Sequence, residues 1–283
     1  MKLKHTLLLL TITFCALFSS FAEEAEFIRY KSDNAFFSDF VHRVYTTTDG
    51  LPGMTVVSVI QDKKGYIWLG TYDGLVRFDG VEFSIFTRYT DSKYGFTSAR
   101  AIFSDSHENI WVGHNGEGLT CIRRDGSVSK YDKTDGLADN KVGAICEDKA
   151  GNIWIGTSLG LCYITPEGTF ATPAGLSELG LEHLTVARLC AASDGRVYVS
   201  TGSQEGILVY ENGSLRRFDG ITKIENPVIR AVYEDKSGAM WFGADPHLAV
   251  RIKDGEETVF DIAHEGTNGT AIDFITEDSS GNI

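Results

Sequence analysis

Proline is scarce in this 283-residue sequence, with only five present. Basic residues are also few, 26 against 39 acidic ones, for a net charge of −13. An acidic surface of that size repels phosphates and argues against nucleic acid as a partner. None of the five cysteines forms a C-x-x-C pair, so the common zinc and thioredoxin-type readings fail. H-E-x-x-H, a phosphate-binding loop and a dinucleotide fingerprint are all missing. Beyond the N-terminal segment, no stretch keeps apolar residues at spacings of three and four over ten positions. Long amphipathic helices are thereby excluded. What remains is 42% hydrophobic and 23% charged, a globular balance that rules out disorder and fibrous repeats. Thirty glycines alongside 11% aromatic residues point to short strands and tight turns.

The first 22 residues read as a secretory signal peptide, with an uncleaved anchor as the alternative. Lys2, Lys4 and His5 form a basic start, and Thr6 to Phe18 is apolar. Ser20 and Ala22 supply the small residues of a cleavage site. The run is too short for a membrane span of about 20 residues. Phe14 before Cys15 is too bulky for lipoprotein processing. Cleavage would leave 24 basic and 39 acidic residues, a net charge of −15. It would also leave Cys121, Cys146, Cys162 and Cys190. Export permits disulfides, but each of these cysteines lies in an apolar run, which favours buried free thiols.

Aligning the chain on its tryptophans reveals repeats. Trp68, Trp111, Trp154, Tyr198 and Trp241 follow one another at steps of 43, 43, 44 and 43 residues. The next anchor would fall at position 284. Within the first unit, Val56–Ile60, Tyr66–Gly70, Leu75–Phe78 and Phe83–Phe86 read as strands, with Asp79-Gly80 as a tight hairpin turn. Four strands in a unit of about 43 residues indicate a blade of a β-propeller. The expected fold is all-β: a propeller of four-stranded blades, incomplete at the C-terminus. Residues 23–39 form a lead-in and 40–283 the propeller. A closing strand over 40–46 precedes five full blades and the start of a sixth, and it would complete a last blade whose other strands follow Ile283. The anchor aromatics are expected to fill wedges between blades. Asp62, Asp105, Asp148, Asp235 and Asp278, each before a turn, are expected to accept backbone N–H bonds.

The residues resemble the two-component regulator propeller repeats of bacterial periplasmic sensors. The matching elements are the linker Asp135-Gly136-Leu137, the turn Glu147-Asp148 to Gly151-Asn152, and the strand Ile153-Trp154-Ile155-Gly156-Thr157. Gly74-Leu75-Val76-Arg77-Phe78 and Gly160-Leu161-Cys162-Tyr163 match the strand that follows. The fourth unit departs, reading Ala191-Ala192 where the others carry the acidic position. The resemblance implies an extracytoplasmic, periplasmic sensor that binds a small molecule or carbohydrate. It further implies a downstream β-sandwich, a membrane span and a histidine kinase or diguanylate cyclase output, all beyond residue 283, with a homodimer formed through the full-length receptor. No cofactor, metal or catalytic residue is expected within residues 1–283. An exported enzyme resembling streptogramin lyase, or a structural interaction propeller, are the alternatives.

Propeller topology brings the interblade linkers and the turns after each second strand to one face. The residues expected to contact ligand there are Tyr72, Asp73, His114, Asn115, Glu117, Gln204, Glu205, Asp245 and His247, because these turns differ between blades while the strands stay alike. Gly156-Thr157-Ser158-Leu159-Gly160 matches a nucleophile-elbow pattern, but the elbow needs a strand–turn–helix, and the repeat puts a strand–turn–strand here. If the N-terminal reading is right, sequencing protein from a periplasmic fraction will give Glu23 as the first residue. A start at Met1 would refute it.

Overall fold

The computed structural model describes residues 43–53, 55–262 and 271–283. The signal segment, the lead-in and residues 40–42 lie outside them. Twenty strands form five antiparallel sheets of four, each running in sequence order from its first strand to its last. The sheets span residues 56–86, 101–131, 142–171, 188–217 and 229–261. The first strands of successive sheets pack against one another. They are therefore the innermost strands, and the sheets stand as blades around a common axis. The first blade comprises Val56–Gln61, Ile67–Thr71, Gly74–Phe78 and Phe83–Phe86, within a residue or two of the sequence reading.

Burial follows position in the blade. The second strand Ile153–Thr157 is buried at every residue, because both of its faces meet neighbouring blades. Such a strand reads as a continuous apolar run rather than an alternating one. The glycine two residues after each anchor permits close contact between blades. A Cβ on Gly156 would lie 2.3 Å from Val186, and one on Gly243 would lie 2.7 Å from Ile272. The fourth blade has Ser200 here, and its hydroxyl donates to the Ile229 carbonyl of the next blade.

One local device recurs in four blades. Asp148 Oδ1 accepts the backbone N–H groups of Ala150 and Asn152 at 2.9 Å each. Its Oδ2 accepts Trp154 Nε1 at 2.7 Å and Asn152 Nδ2 at 2.8 Å. Asp62, Asp105 and Asp235 hold Trp68, Trp111 and Trp241 in the same way, each at 2.8 Å. The carboxylate thus closes the first turn of the blade and satisfies the buried indole N–H. In the fourth blade both partners change together, with Ala192 replacing the aspartate and Tyr198 the tryptophan.

A second device joins blades. Glu147 accepts from Ser106 N at 2.6 Å and Ser106 Oγ at 2.7 Å. Glu234 does the same for Ser193, at 2.6 Å to both donors. Glu277 accepts from Lys236 N at 2.7 Å. The matching residues in the second and fourth blades are Ser104 and Ala191. Two interfaces, first–second and third–fourth, therefore lack this latch.

At the N-terminal end, Arg43–Thr46 pair with no strand among the described residues. Thr46 and Asp49 nonetheless form a capped turn like that of Asp132 and Asp135, with Thr46 N donating to Asp49 Oδ2 at 2.7 Å and Asp132 N to Asp135 Oδ2 at 2.8 Å. Tyr45 packs edge-on against Phe83 at 5.3 Å, as Tyr131 does against Phe170 at 5.7 Å. Residues 271–283 form no strand, yet Asp278 rebuilds the same turn, accepting from Asn282 N at 2.9 Å and Asn282 Nδ2 at 2.8 Å. The four cysteines downstream of the N-terminal segment are free thiols, three of them fully buried. Burial pushes the Cys121 thiol up to about 12 and Cys162 up to about 11.

Replacing Asp105 with asparagine turns an amide N–H toward the indole N–H. The expected cost is about 1–3 kcal/mol of stability, read by urea unfolding. A double Asp105→Ala, Trp111→Tyr variant copies the fourth blade and should lose less than the sum of its single changes. Burial acts to raise the pKa of Asp235, but hydrogen bonds from Ser237, Trp241 and Ala239 outweigh it and lower the pKa to about 2. A lowered folded-state pKa stabilises above the unfolded value of about 4 and is lost as pH falls toward 2. Unfolding midpoints measured over that range should therefore show a smaller acid-induced drop in Asp235→Asn than in the parent chain.

Candidate functional site

The turns after the second strands are hydrogen-bonded to the interblade linkers. Gly116 N and Gly118 N donate to the Asn140 carbonyl at 3.1 and 3.0 Å. Ser158 Oγ donates to Asp139 at 2.6 Å, and Asp245 N to the Val228 carbonyl at 2.9 Å. Turns and linkers thus share one face, around the start of the innermost strands.

The residues expected to meet a ligand divide into two groups. Tyr72, Asp73, Asn115, Gln204 and Glu205 are exposed on this face. Asn115 accepts from Arg100 Nη1 at 3.2 Å, and Glu205 accepts from Arg217 Nη2 at 2.7 Å. Asp245 is half-buried and holds Arg230 Nε at 2.8 Å.

The other three are engaged structurally. His114 is 0% exposed. Its Nδ1 lies 2.6 Å from the Ser98 carbonyl and its Nε2 2.8 Å from Thr120 Oγ1. Its ring stacks on Phe96 at 4.4 Å. Burial lowers its pKa to about 4, against the Ser98 hydrogen bond and Glu117, so it is neutral at pH 7 and pins its turn to the preceding linker. Glu117 accepts from Thr97 N at 3.2 Å and Thr97 Oγ1 at 3.0 Å, and pairs with Arg88. Burial raises its pKa, but the Thr97 hydrogen bonds and the Arg88 charge help produce a net lowering. His247 Nε2 lies 3.4 Å from Asp261 Oδ1. Among the described residues, no three His, Cys, Asp or Glu side chains converge to hold a metal.

Sequence reasoning missed three arginines. Arg100 immediately precedes its innermost strand, while Arg188 and Arg230 lie within theirs. Arg188 Nη2 donates to the Asp273 carbonyl at 3.2 Å. Although Arg188 is exposed, partial desolvation lowers its pKa, opposed by Asp273 and reinforced by the like charge of Arg100 from two blades away. The arginines therefore rim the mouth of the axis. Arg100 and Arg230 share a repeat position, 11 residues before Trp111 and Trp241, where the other blades carry Val57, Gly143 and Ala187. Arg188 stands one residue further along, paired with Ser200 as Ala101 is with Gly113. A separate cleft of about 260 Å³ on the same face lies beneath the linker 172–178, lined by Ala138, Leu161 and Glu182.

Comparison with known proteins follows this geometry. The family model for the two component regulator propeller matches residues 50–73 and 136–158. Each match begins in a linker, runs through the aspartate turn and ends just past the anchor strand. A histidine kinase of Formosa agariphila, P4, is 47% identical over 49 residues, which is 17% of this chain and 4% of the kinase. Among solved structures, the fold is similar to the extracellular domain of a protein assigned to a hybrid two-component system of B. thetaiotaomicron. That similarity has a TM-score of 0.64 at 22% identity, and covers 78% of this chain and 31% of that one. Streptogramin B lyase is similar with a TM-score of 0.60 at 17% identity, covering 76% of this chain and 71% of that one. The chain thus spans a small part of the kinase and about a third of the two-component neighbour. With five four-stranded sheets set around one axis among the described residues, the chain is a β-propeller, and two of its segments match the two component regulator propeller model.

Proposed function

We propose that this chain is the ligand-sensing propeller of an extracytoplasmic signalling receptor, and that its sensing face is the one carrying the turns and linkers. The observation that carries this reading is the arginine rim: Arg100, Arg188 and Arg230 at the linker end of three innermost strands, surrounded by turns of unlike sequence. Uniform strands presenting convergent polar groups amid variable loops are a common design for binding sites. The exposed ring of Tyr72 adds a surface on which a sugar can stack. The repeats and the kinase relative support a signalling role, with the membrane span and output domain supplied by a longer receptor. Among the described residues, no helix is long and apolar enough to cross a membrane. The lyase-like alternative needs a histidine free to move protons: both nitrogens of His114 are occupied, while His247 Nδ1 has no hydrogen-bond partner.

The test is calorimetric titration of the chain with a panel of soluble oligosaccharides. At least one should bind with a dissociation constant below about 1 mM. Arg188→Ala should weaken that binding about tenfold or more, a loss of at least about 1.4 kcal/mol. Glu167→Ala, in an exposed turn of the opposite face, should leave it unchanged. Absence of any binder, or equal binding by Arg188→Ala, would overturn the assignment of this face.

A further inference from the structure

The face opposite the linkers carries a second opening, between the first and second blades. This is one of the two interfaces without a glutamate latch. Ser104 stands in place of the latch, and its hydroxyl is buried without a hydrogen-bond partner. A covering side chain is also missing. In the fourth blade Tyr210 lies over Trp154 of the third, with ring centroids 4.7 Å apart. The corresponding residue in the second blade is Ile122, as the pairings Val197–Tyr210 and Ile110–Ile122 establish. The smaller side chain leaves a cleft of about 190 Å³ beside Trp68.

The lining of the cleft has a consistent chemistry. Its apolar wall is aromatic: Trp68 meets Phe86 at 5.4 Å, and Phe86 meets Tyr94 at 5.2 Å. Arg77 stands among these rings, its guanidinium 4.6 Å from the Tyr66 centroid, 5.8 Å from Phe86 and 5.9 Å from Trp68. The residues paired with the other anchors are Cys121, Tyr163, Val209 and Arg251. Arg251 has a nearby acid, with its Nε 4.0 Å from Asp235. Arg77 is not so paired: Asp62 accepts from the backbone N–H groups of Lys64 and Tyr66 and from the Trp68 indole, Asp79 feels the Arg77 charge without a direct ion pair, and Arg77 Nε is buried without a hydrogen-bond partner. An unpaired buried donor on a cation is costly unless something fills the position. A second unsatisfied atom lies at the rim. Glu108 Oε2 is buried with no hydrogen bond, and its nearest cations, Arg124 Nε and Lys64 Nζ, are 3.6 and 3.9 Å away. Counting Lys63 and Arg123 as well, five cations face two carboxylates in the lining of this cleft, on a chain whose net charge is −13.

We propose that this cleft is a binding site for a small single-ring carboxylate that also bears a hydroxyl. The carboxylate pairs with the Arg77 guanidinium, whose planar fork matches it. The ring lies against the aromatic wall, and the hydroxyl donates to Glu108 Oε2. The volume sets the size: drug-sized ligands occupy roughly 300–1,000 Å³, and this cleft holds about one ring. The site is independent of the arginine-rimmed mouth on the other face, so either can fail without the other.

Two probes separate the sources of such a ligand. 4-Hydroxybenzoate presents a planar ring and D-glucuronate a saturated one, while D-glucose lacks the carboxylate. Each is titrated into the chain with tryptophan fluorescence, which Trp68 reports, and with calorimetry. One of the two carboxylates should bind saturably by about 10 mM, and glucose should not. Arg77→Gln should weaken binding about tenfold or more. Arg124→Ala, at an exposed rim position that folding does not require, should weaken it a few-fold even if Arg77→Gln proves unstable. Glu167→Ala should bind as the parent does. Failure of both carboxylates to bind, glucose binding equally well, or undiminished binding in Arg124→Ala together with a folded Arg77→Gln would overturn the proposal.

Discussion

Four of the five blades depend on a carboxylate that does two jobs at once. The aspartate ahead of the first turn ties down two backbone N–H groups and the indole N–H of the anchor tryptophan six residues on. Without the second bond, a large ring buried between blades would carry an unsatisfied donor, at a cost of about 1–3 kcal/mol. Without the first, the turn would lose the geometry that presents the ring. The fourth blade shows the coupling in reverse. With alanine at the aspartate position, the anchor is tyrosine. The turn keeps its backbone bonds, Ala192 N donating to the Arg196 carbonyl at 2.8 Å and Gly195 N to the Ala192 carbonyl at 3.0 Å, and Asp194 within it accepts from Arg196 N at 2.9 Å.

Blades anchored in this way still need a means of adhering to one another. The glycine after the anchor brings the next innermost strand into van der Waals contact, and the glutamate latch fixes the far end of the same interface. Where the latch is present, the interface is closed at both ends. The first–second interface has the close glycine contact, Gly70 against Ala99, but no glutamate and a small residue over the tryptophan. One end is tight and the other open, which is why the cleft forms there and why its buried polar atoms remain unpaired.

Much of the fold was legible in the sequence because the repeat is nearly exact where packing demands it. The period, the strand order and the hairpin at Asp79-Gly80 all followed from spacing, and strand ends differed by a residue or two. The aspartates were read as turn residues and the tryptophans as wedges. Their bond to each other was not read, since a separation of six residues carries no signal until the turn geometry is known. The face was read less well. His114 looked like a loop histidine beside Asn115 and Glu117, yet its ring is entirely buried. Polar residues in a short turn can point either way, and sequence does not distinguish a histidine that pins a loop from one that meets solvent. The arginines were overlooked for the opposite reason. Arg100 and Arg230 are alike between two blades rather than different, and Arg188 stands one residue out of step with them.

The distribution of these elements constrains how the binding proposed for the mouth would be felt elsewhere. A ligand changes a conformational equilibrium only by its differential affinity for two arrangements. Arg100 and Arg188 belong to the second and fourth blades, and Arg188 also reaches the Asp273 carbonyl beyond the fifth. Between the second and fourth blades lie one latched interface, held by Glu147 on Ser106, and one unlatched interface, with Ala191 where a glutamate would stand. The third–fourth interface has no carboxylate at its far end, but there Tyr210 of the fourth blade packs over Trp154 of the third at 4.7 Å, within one continuous buried apolar cluster. The missing glutamate that leaves a cleft between the first two blades is thus made good by ring packing between the third and fourth.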